Sequence, residues 1–208
     1  FEKIKNTDDK TKVKILQAFL ESLEKKDLVF YVDDQKVTSF LGKNNWDGAI
    51  KDAVCQKKGV SCFQDYLQLS EANVGLNKAN YFLQRSDEQR IQIREDGRVE
   101  KKLLINYENK SPSNVFPAGD YKTYLRVLVP AESFLIGCQI SNPDFPGNRE
   151  ACGIEETNDL GRKIFGFLLK VPVGEKRNVE VAYRLSEKKL FTFGEYLIFT
   201  QKQSGIGD

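Results

Sequence analysis

Apolar and polar residues alternate with a period of two through most of the chain after residue 81, and this pattern constrains the fold more than any other feature. The clearest runs place apolar side chains at Leu103, Ile105 and Tyr107; at Leu125, Val127 and Val129; at Phe165, Phe167, Leu169 and Val171; and at Val179, Val181, Tyr183 and Leu185. Successive strand residues face opposite sides of a sheet, so each run predicts a strand with one buried face. The pattern predicts an antiparallel β-sandwich of immunoglobulin-like kind over residues 79–208.

Residues 1–78 mix helical and strand patterns. Asp8 or Asp9 can cap a helix from about residue 10 to 26. Its apolar stripe is expected to pack on a neighbouring sheet and consists of Val13, Leu16, Phe19, Leu20 and Leu23. A short buried strand is predicted over 27–32, and a second helix follows, capped by Asp33 or Asp34. We therefore expect an α+β protein, in which a small α/β unit over 1–78 packs on the sandwich over 79–208.

The segment 141–159 interrupts the alternation, and we expect a long irregular insert there. One of the four cysteines of the chain, Cys152, lies in it, and the others are Cys55, Cys62 and Cys138. Four cysteines can pair in three ways, and sequence proximity favours Cys55 with Cys62 and Cys138 with Cys152, since closing a short loop costs less entropy. The alternative, a four-thiolate zinc site, normally requires closer C-x₂₋₄-C spacings. Two disulfides would indicate an extracytoplasmic location.

Histidine is absent from the 208 residues. This excludes Ser-His-Asp and Cys-His nucleophilic catalysis and every metal site that uses imidazole. The net charge is +2, from 32 basic and 30 acidic residues, which gives no strong field for nucleic acid or an anionic membrane. We therefore expect no nucleic-acid partner, no cofactor and no metal.

The Asn-rich stretch from Ala72 to Phe82 is the first candidate site. Asn73, Asn77 and Asn80 together with Lys78 could converge on the hydroxyl groups of a glycan or on an anion. The alternative is a junction between the two subdomains, in which the Asn side chains satisfy backbone groups of their own turn.

Tyr124 and Arg126 are the second candidate site, because residues two apart in a strand share a face. If exposed, they could form an aromatic and cationic surface; otherwise they support neighbouring strands as a cross-strand pair. Carboxylates could also carry glycosidase chemistry without histidine, but no spacing singles out an opposed pair. The acidic residues considered are Asp47, Asp65, Asp144, Glu150, Glu155, Glu156 and Asp159.

Several sequence blocks, in order, resemble the bacterial domain-of-unknown-function family 4012. The most specific are Asn73-Val74-Gly75-Leu76-Asn77-Lys78-Ala79-Asn80-Tyr81 and Tyr121-Lys122-Thr123-Tyr124-Leu125-Arg126-Val127; others are Leu28-Val29-Phe30-Tyr31-Val32, Trp46-Asp47-Gly48 and the closing Gln201-Lys202-Gln203-Ser204-Gly205, where the family usually has Pro in place of Ser204. The resemblance spans most of the chain. It implies a surface or periplasm-facing bacterial protein, often with an upstream membrane-spanning helix, and it carries no catalytic residues.

Taken together, these observations predict a non-enzymatic extracytoplasmic module of the bacterial envelope, with a binding or assembly role linked to surface polysaccharide. Its expected partner is an envelope protein or a glycan. We expect contact with the membrane only through an upstream anchoring segment outside this chain. The alternative is a carboxylate-dependent enzyme that processes glycans.

Overall fold

The computed structural model describes residues 7–55, 59–185 and 194–204. The chain forms two compact units. The first ends at Lys51 and also includes the segment from Lys202 onward, and the second covers Asp52–Gln201. The family-like closing segment extends past the described residues, because it contains Gly205.

Two helices form the described part of the first unit: α1 (Asp9–Glu24) and α2 (Gln35–Lys43). Asp8 caps α1, since its carboxylate accepts a hydrogen bond from the Thr11 N–H at 3.0 Å. Asp34 caps α2 by accepting from the N–H groups of Lys36 and Val37. Both helix starts confirm the sequence prediction, because carboxylates satisfy the free N–H groups of a first turn.

Two other predictions for this unit are wrong. Only Leu23 of the apolar stripe of α1 is buried, whereas Val13 and Leu16 are more than half exposed. The described segment 27–32 forms no strand; the Phe30 N–H donates to the Trp46 carbonyl at 2.9 Å instead. A short apolar run does not by itself supply the pairing partner that a strand requires.

The described part of the second unit contains ten strands: β1 (Cys62–Asn73), β2 (Leu83–Ile93), β3 (Val99–Asn109), β4 (Tyr121–Pro130), β5 (Phe134–Asn142), β6 (Phe145–Ala151), β7 (Glu155–Asp159), β8 (Arg162–Val171), β9 (Lys176–Arg184) and β10 (Glu195–Gln201). A short 3₁₀ helix (Ala79–Phe82) joins β1 to β2. The strands β6 and β7 lie where the sequence predicted an irregular insert.

The strands make two open five-stranded sheets. The first has the order β10-β1-β4-β8-β7 and the second β2-β3-β9-β5-β6. All pairs are antiparallel except β1 with β10, which is parallel. The inward-facing residues of both sheets share one hydrophobic core, which contains the predicted apolar runs of β3, β4, β8 and β9. The protein is therefore mostly β, with two largely antiparallel sheets and a short helical N-terminal part.

The boundary at residue 78 differs from the observed division. Strand β1, which the sequence assigned to the small N-terminal unit, pairs with β4 and β10 and belongs to the first sheet. The Asn-rich stretch consequently follows a strand inside the larger unit. It does not lie at the division between the two units, which falls after Lys51.

All four cysteines are paired as sequence proximity favoured, Cys55 with Cys62 and Cys138 with Cys152. Two disulfides indicate an oxidising, extracytoplasmic location, because thiols are kept reduced in most cytosols. Among the described residues, no helix is long and apolar enough to cross a bilayer.

Candidate functional site

The three Asn side chains of the first candidate site hold the turn that follows β1. The Asn73 amide donates to the Asn77 carbonyl at 3.1 Å and to the Asn80 side-chain oxygen at 3.3 Å. Its oxygen accepts from the Gly75 N–H at 2.8 Å, and the Asn77 amide donates to the Asp120 carbonyl at 2.9 Å. The side chains therefore satisfy backbone groups of their own turn and of a neighbouring loop.

That neighbouring loop covers residues 110–120 and is fixed by Asn109, which the sequence analysis did not single out. The fully buried Asn109 amide donates to the carbonyls of Gly119 and Val171, at 3.0 and 2.9 Å. The Lys78 N–H joins the two loops by donating to the Pro117 carbonyl at 2.7 Å. Both loops are thus held in place by bonds to backbone groups.

These two loops expose large apolar side chains at one end of the sandwich, which we call the aromatic end: Leu76, Tyr81, Val115 and Phe116. Leu76 is 95% exposed, Tyr81 85%, and Val115 and Phe116 70% each. Leu76 also has a φ of 55°, a left-handed conformation that is rare for residues other than glycine. Apolar side chains gathered on a surface mark sites of interaction. The exposed Lys78 and Asn80 lie in the same turn.

Tyr124 and Arg126 lie on β4; Tyr124 reaches across β8 to bond to β7, and Arg126 bonds to the neighbouring strand β1. The Tyr124 hydroxyl donates to Glu155 of β7 at 2.7 Å, and the Arg126 guanidinium donates to the Ser70 hydroxyl of β1 at 3.0 Å. Gly166 of β8 lies under the Tyr124 ring, where a Cβ atom would collide with the hydroxyl. The arrangement is that of cross-strand support on the outer face of the first sheet.

A buried carboxylate, Glu71, lies between the two sheets two residues before Asn73. It accepts hydrogen bonds from the Tyr107 hydroxyl at 2.9 Å, from the Arg85 guanidinium at 2.8 Å, and from the Tyr121 hydroxyl. Burial raises the pKa of both tyrosines, and the Glu71 charge raises it further. Both hydroxyls therefore stay protonated and act as donors.

A second buried carboxylate, Asp65, lies nearer the start of β1. Its Oδ2 lies 2.5 Å from Lys101 Nζ and accepts from the Tyr196 hydroxyl at 2.5 Å. Its Oδ1 accepts from the Tyr66 N–H at 2.7 Å. The side chains of Asp65 and Lys101 are 0% and 1% exposed. One sequence signal could have identified both buried carboxylates: Asp65 and Glu71 are in phase with the apolar Leu67 and Leu69.

The other carboxylates in the described ranges form no metal-binding cluster. Within the part of the chain that the structure describes, no group of three or more Cys, Asp and Glu side chains could hold a metal ion. A polar cavity of about 150 Å³ is lined by Asn142, Asn148, Glu150 and Arg177. It is smaller than the roughly 300–1,000 Å³ typical of small-molecule sites.

Comparisons with known proteins give no family. No protein-family model matches the chain, and no curated protein matches it. Among solved structures, a candidate nutrient-binding protein from Legionella pneumophila is similar at 8% identity, with 61% of this chain and 44% of that chain covered and a TM-score of 0.37. A two-domain M1 zinc metallopeptidase variant bound to L-tryptophan is similar at 10% identity, with 62% and 20% covered and a TM-score of 0.24. The chain spans less than half of either structure, and similarities this weak support no functional argument.

Proposed function

We propose that this chain is a non-enzymatic binding module of the bacterial envelope that contacts surface polysaccharide through its aromatic end. The observation that carries the proposal is the exposure of Tyr81 and Phe116, at 85% and 70%, on two loops fixed by hydrogen bonds. Burying such rings in a partner gains free energy, and little is lost in ordering loops that are already held.

The chemistry of the aromatic end suits a sugar ring. A pyranose has a face of C–H groups, which packs on an aromatic ring, and a rim of hydroxyls, which needs donors and acceptors. Tyr81 and Phe116 supply the rings, and the exposed Asn80 and Lys78 supply polar groups in the same turn. The Asn73 and Asn77 side chains serve as supports of the turn, since they are bonded to backbone groups.

The envelope location rests on two further lines. The two disulfides indicate an oxidising compartment, and the Asn-rich and Tyr-rich blocks resemble family 4012 of bacterial surface proteins. The immunoglobulin-like type of sandwich is part of this proposal, and two sheets around one core are consistent with it.

The carboxylate-dependent enzyme gains no support from the buried acids. Hydrolysis of a glycosidic bond requires two carboxyl groups about 5–10 Å apart that both reach the substrate. Asp65 and Glu71 are instead enclosed within the sandwich, and donors from neighbouring strands occupy their oxygens.

A printed array of bacterial surface polysaccharides tests the proposal. We expect the wild-type chain to bind at least one polysaccharide, and Tyr81→Ala and Phe116→Ala each to weaken that binding about tenfold, which corresponds to about 1.4 kcal/mol. Tyr31→Ala is the matched control, because Tyr31 is 86% exposed but lies in the other unit. Absence of wild-type binding, or equal loss in all three variants, would overturn the proposal.

A further inference from the structure

The Asp65–Lys101 pair joins the two sheets through the core. Asp65 lies on β1 of the first sheet, Lys101 lies on β3 of the second, and the residues are 36 positions apart in sequence. Their charged atoms are 2.5 Å apart, and neither side chain is more than 1% exposed. An ion pair this deeply buried loses much of its hydration, a cost that its mutual attraction must repay.

We propose that Lys101 and Asp65 form an intramolecular amide bond, so that the folded chain carries a covalent crosslink between its two sheets. Such a bond replaces two buried charges by one neutral group. It removes the desolvation cost of the ion pair and keeps a link in the same place. It is a modification site independent of the aromatic end and of glycan binding.

The reaction needs no external reagent. Nζ of Lys101 attacks Cγ of Asp65, the new N–C bond forms, and the bond from Cγ to Oδ2 breaks. The ammonium begins with three protons; the amide retains one, and the other two leave with Oδ2 as water. No electron is gained from or lost to another molecule.

The surrounding groups suit each step. Burial lowers the pKa of Lys101, although Asp65 opposes the effect, and this favours the neutral amine that can attack. The Tyr66 N–H, which lies 2.7 Å from Oδ1, can stabilise the negative charge that develops there. The Tyr196 hydroxyl, 2.5 Å from Oδ2, can pass a proton to the departing oxygen and take one from the nitrogen.

Tyr183 completes the enclosure. Its ring centroid lies 5.7 Å from Lys101 Nζ, and its buried hydroxyl has no hydrogen-bond partner within the described ranges. That hydroxyl is an unbonded polar group on the ring that lies next to the Lys101 ammonium. Buried hydroxyls normally have a hydrogen-bond partner. A Tyr183 hydroxyl without one is therefore available to bind the water molecule that the reaction releases.

Intact-mass spectrometry of the purified, folded chain tests the proposal directly. We expect a mass lower by one water than the sequence predicts with both disulfides formed. After reduction and tryptic digestion, we expect a branched peptide that joins the segment around Asp65 to the segment around Lys101. A folded wild-type chain with the full mass would overturn the proposal, whatever the variants do.

Lys101→Arg is the matched variant, because it keeps the positive charge but should not form this amide. Its mass should show no deficit; a deficit that persists would place the lost water elsewhere and also overturn the proposal. Tyr196→Phe tests the proton transfer, and we expect the crosslinked fraction to fall at least tenfold. An unchanged fraction in a folded Tyr196→Phe protein would remove Tyr196 from the reaction.

Discussion

Asp65 and Glu71 bring negative charge into the core from one face of β1, and each meets a cation from the second sheet. Lys101 is the partner of Asp65, and Arg85 is the partner of Glu71. Buried ion pairs contribute little net stability, because desolvation offsets their attraction. Their effect is on alignment: before the proposed amide bond forms at Asp65, a shift of one sheet along the other would separate both carboxylates from their cations. We therefore infer that the two pairs fix how the sheets face each other as the chain folds.

Removing the charge of Glu71 tests this role. Glu71→Gln removes the nearer anion of Arg85 and leaves only Asp87, at 3.9 Å, and we expect the free energy of unfolding to fall by about 1–3 kcal/mol in urea titrations. Glu88→Gln is the control, since Glu88 pairs with Arg90 on the exposed side of β2, and it should leave the unfolding midpoint nearly unchanged. Equal effects of the two substitutions would contradict the inference.

Among the connecting elements, the loop over 110–120 illustrates how an irregular segment is held by its ends. Asn109 bonds to two carbonyls at its start. At its end, Asp120 pairs with Lys170 at 2.9 Å and accepts from the Val173 N–H at 3.2 Å. The loop therefore keeps Phe116 in place although it has no regular secondary structure.

Acid should loosen this loop through Asp120. The pKa of Asp120 is lowered below its ordinary value of 3.8, chiefly by the hydrogen bond from Lys170 and also by the one from the Val173 N–H. A lowered folded-state pKa contributes stability above that ordinary value, and the contribution is lost as the pH falls through the folded-state pKa. We expect Asp120→Asn to reduce the loss of unfolding free energy between neutral pH and pH about 3. Lys170→Gln should likewise reduce the dependence of the unfolding free energy on pH. If both variants show the same pH dependence as the wild type, the Asp120–Lys170 pair does not cause the acid sensitivity.

An element could be predicted from the sequence when the residues that determine it lie within that element. The strands β3 and β9 were predictable because alternate residues, such as Ile105 and Val181, decide which face is buried. Strands β6 and β7 were missed because β7 and the described side chains of β6 are exposed throughout, so no alternation of buried and exposed residues marks either strand. The exposure of the α1 stripe could not be predicted either, since a helical period identifies an apolar face but not whether anything covers it.

The candidate site divides in the same way. The Asn side chains of the turn were predictable, because Asn with Gly is typical of turns. The exposure of Tyr81 and Phe116 could not be predicted. It depends on two loops that are far apart in the sequence and meet at one end of the sandwich. The pairing of Glu71 with Arg85 and of Asp65 with Lys101 likewise depends on how strands of the two sheets face each other, which no local pattern encodes.

For the molecule as a whole, the two disulfides differ in the loops that they close. Cys138 and Cys152 are 14 positions apart and belong to the core, whereas Cys55 and Cys62 are 7 apart. Replacing Cys138 and Cys152 together by Ala should lower the free energy of unfolding by about 2–4 kcal/mol, and the same change at Cys55 and Cys62 by roughly 0.5 kcal/mol less. Urea titration of both double variants measures the difference. The opposite order would show that loop length and core position do not govern the effect.

The parallel pairing of β1 with β10 has a consequence for synthesis. Hydrogen bonds between these strands join positions far apart in sequence; the Tyr66 hydroxyl, for example, donates to Gln201, 135 positions later. While the ribosome makes the intervening residues, β1 has no partner on that side, and Asp65 has no Tyr196 beside it. The first sheet can be completed only after β10 has left the exit tunnel, so the nascent chain keeps the edge of β1 open until then.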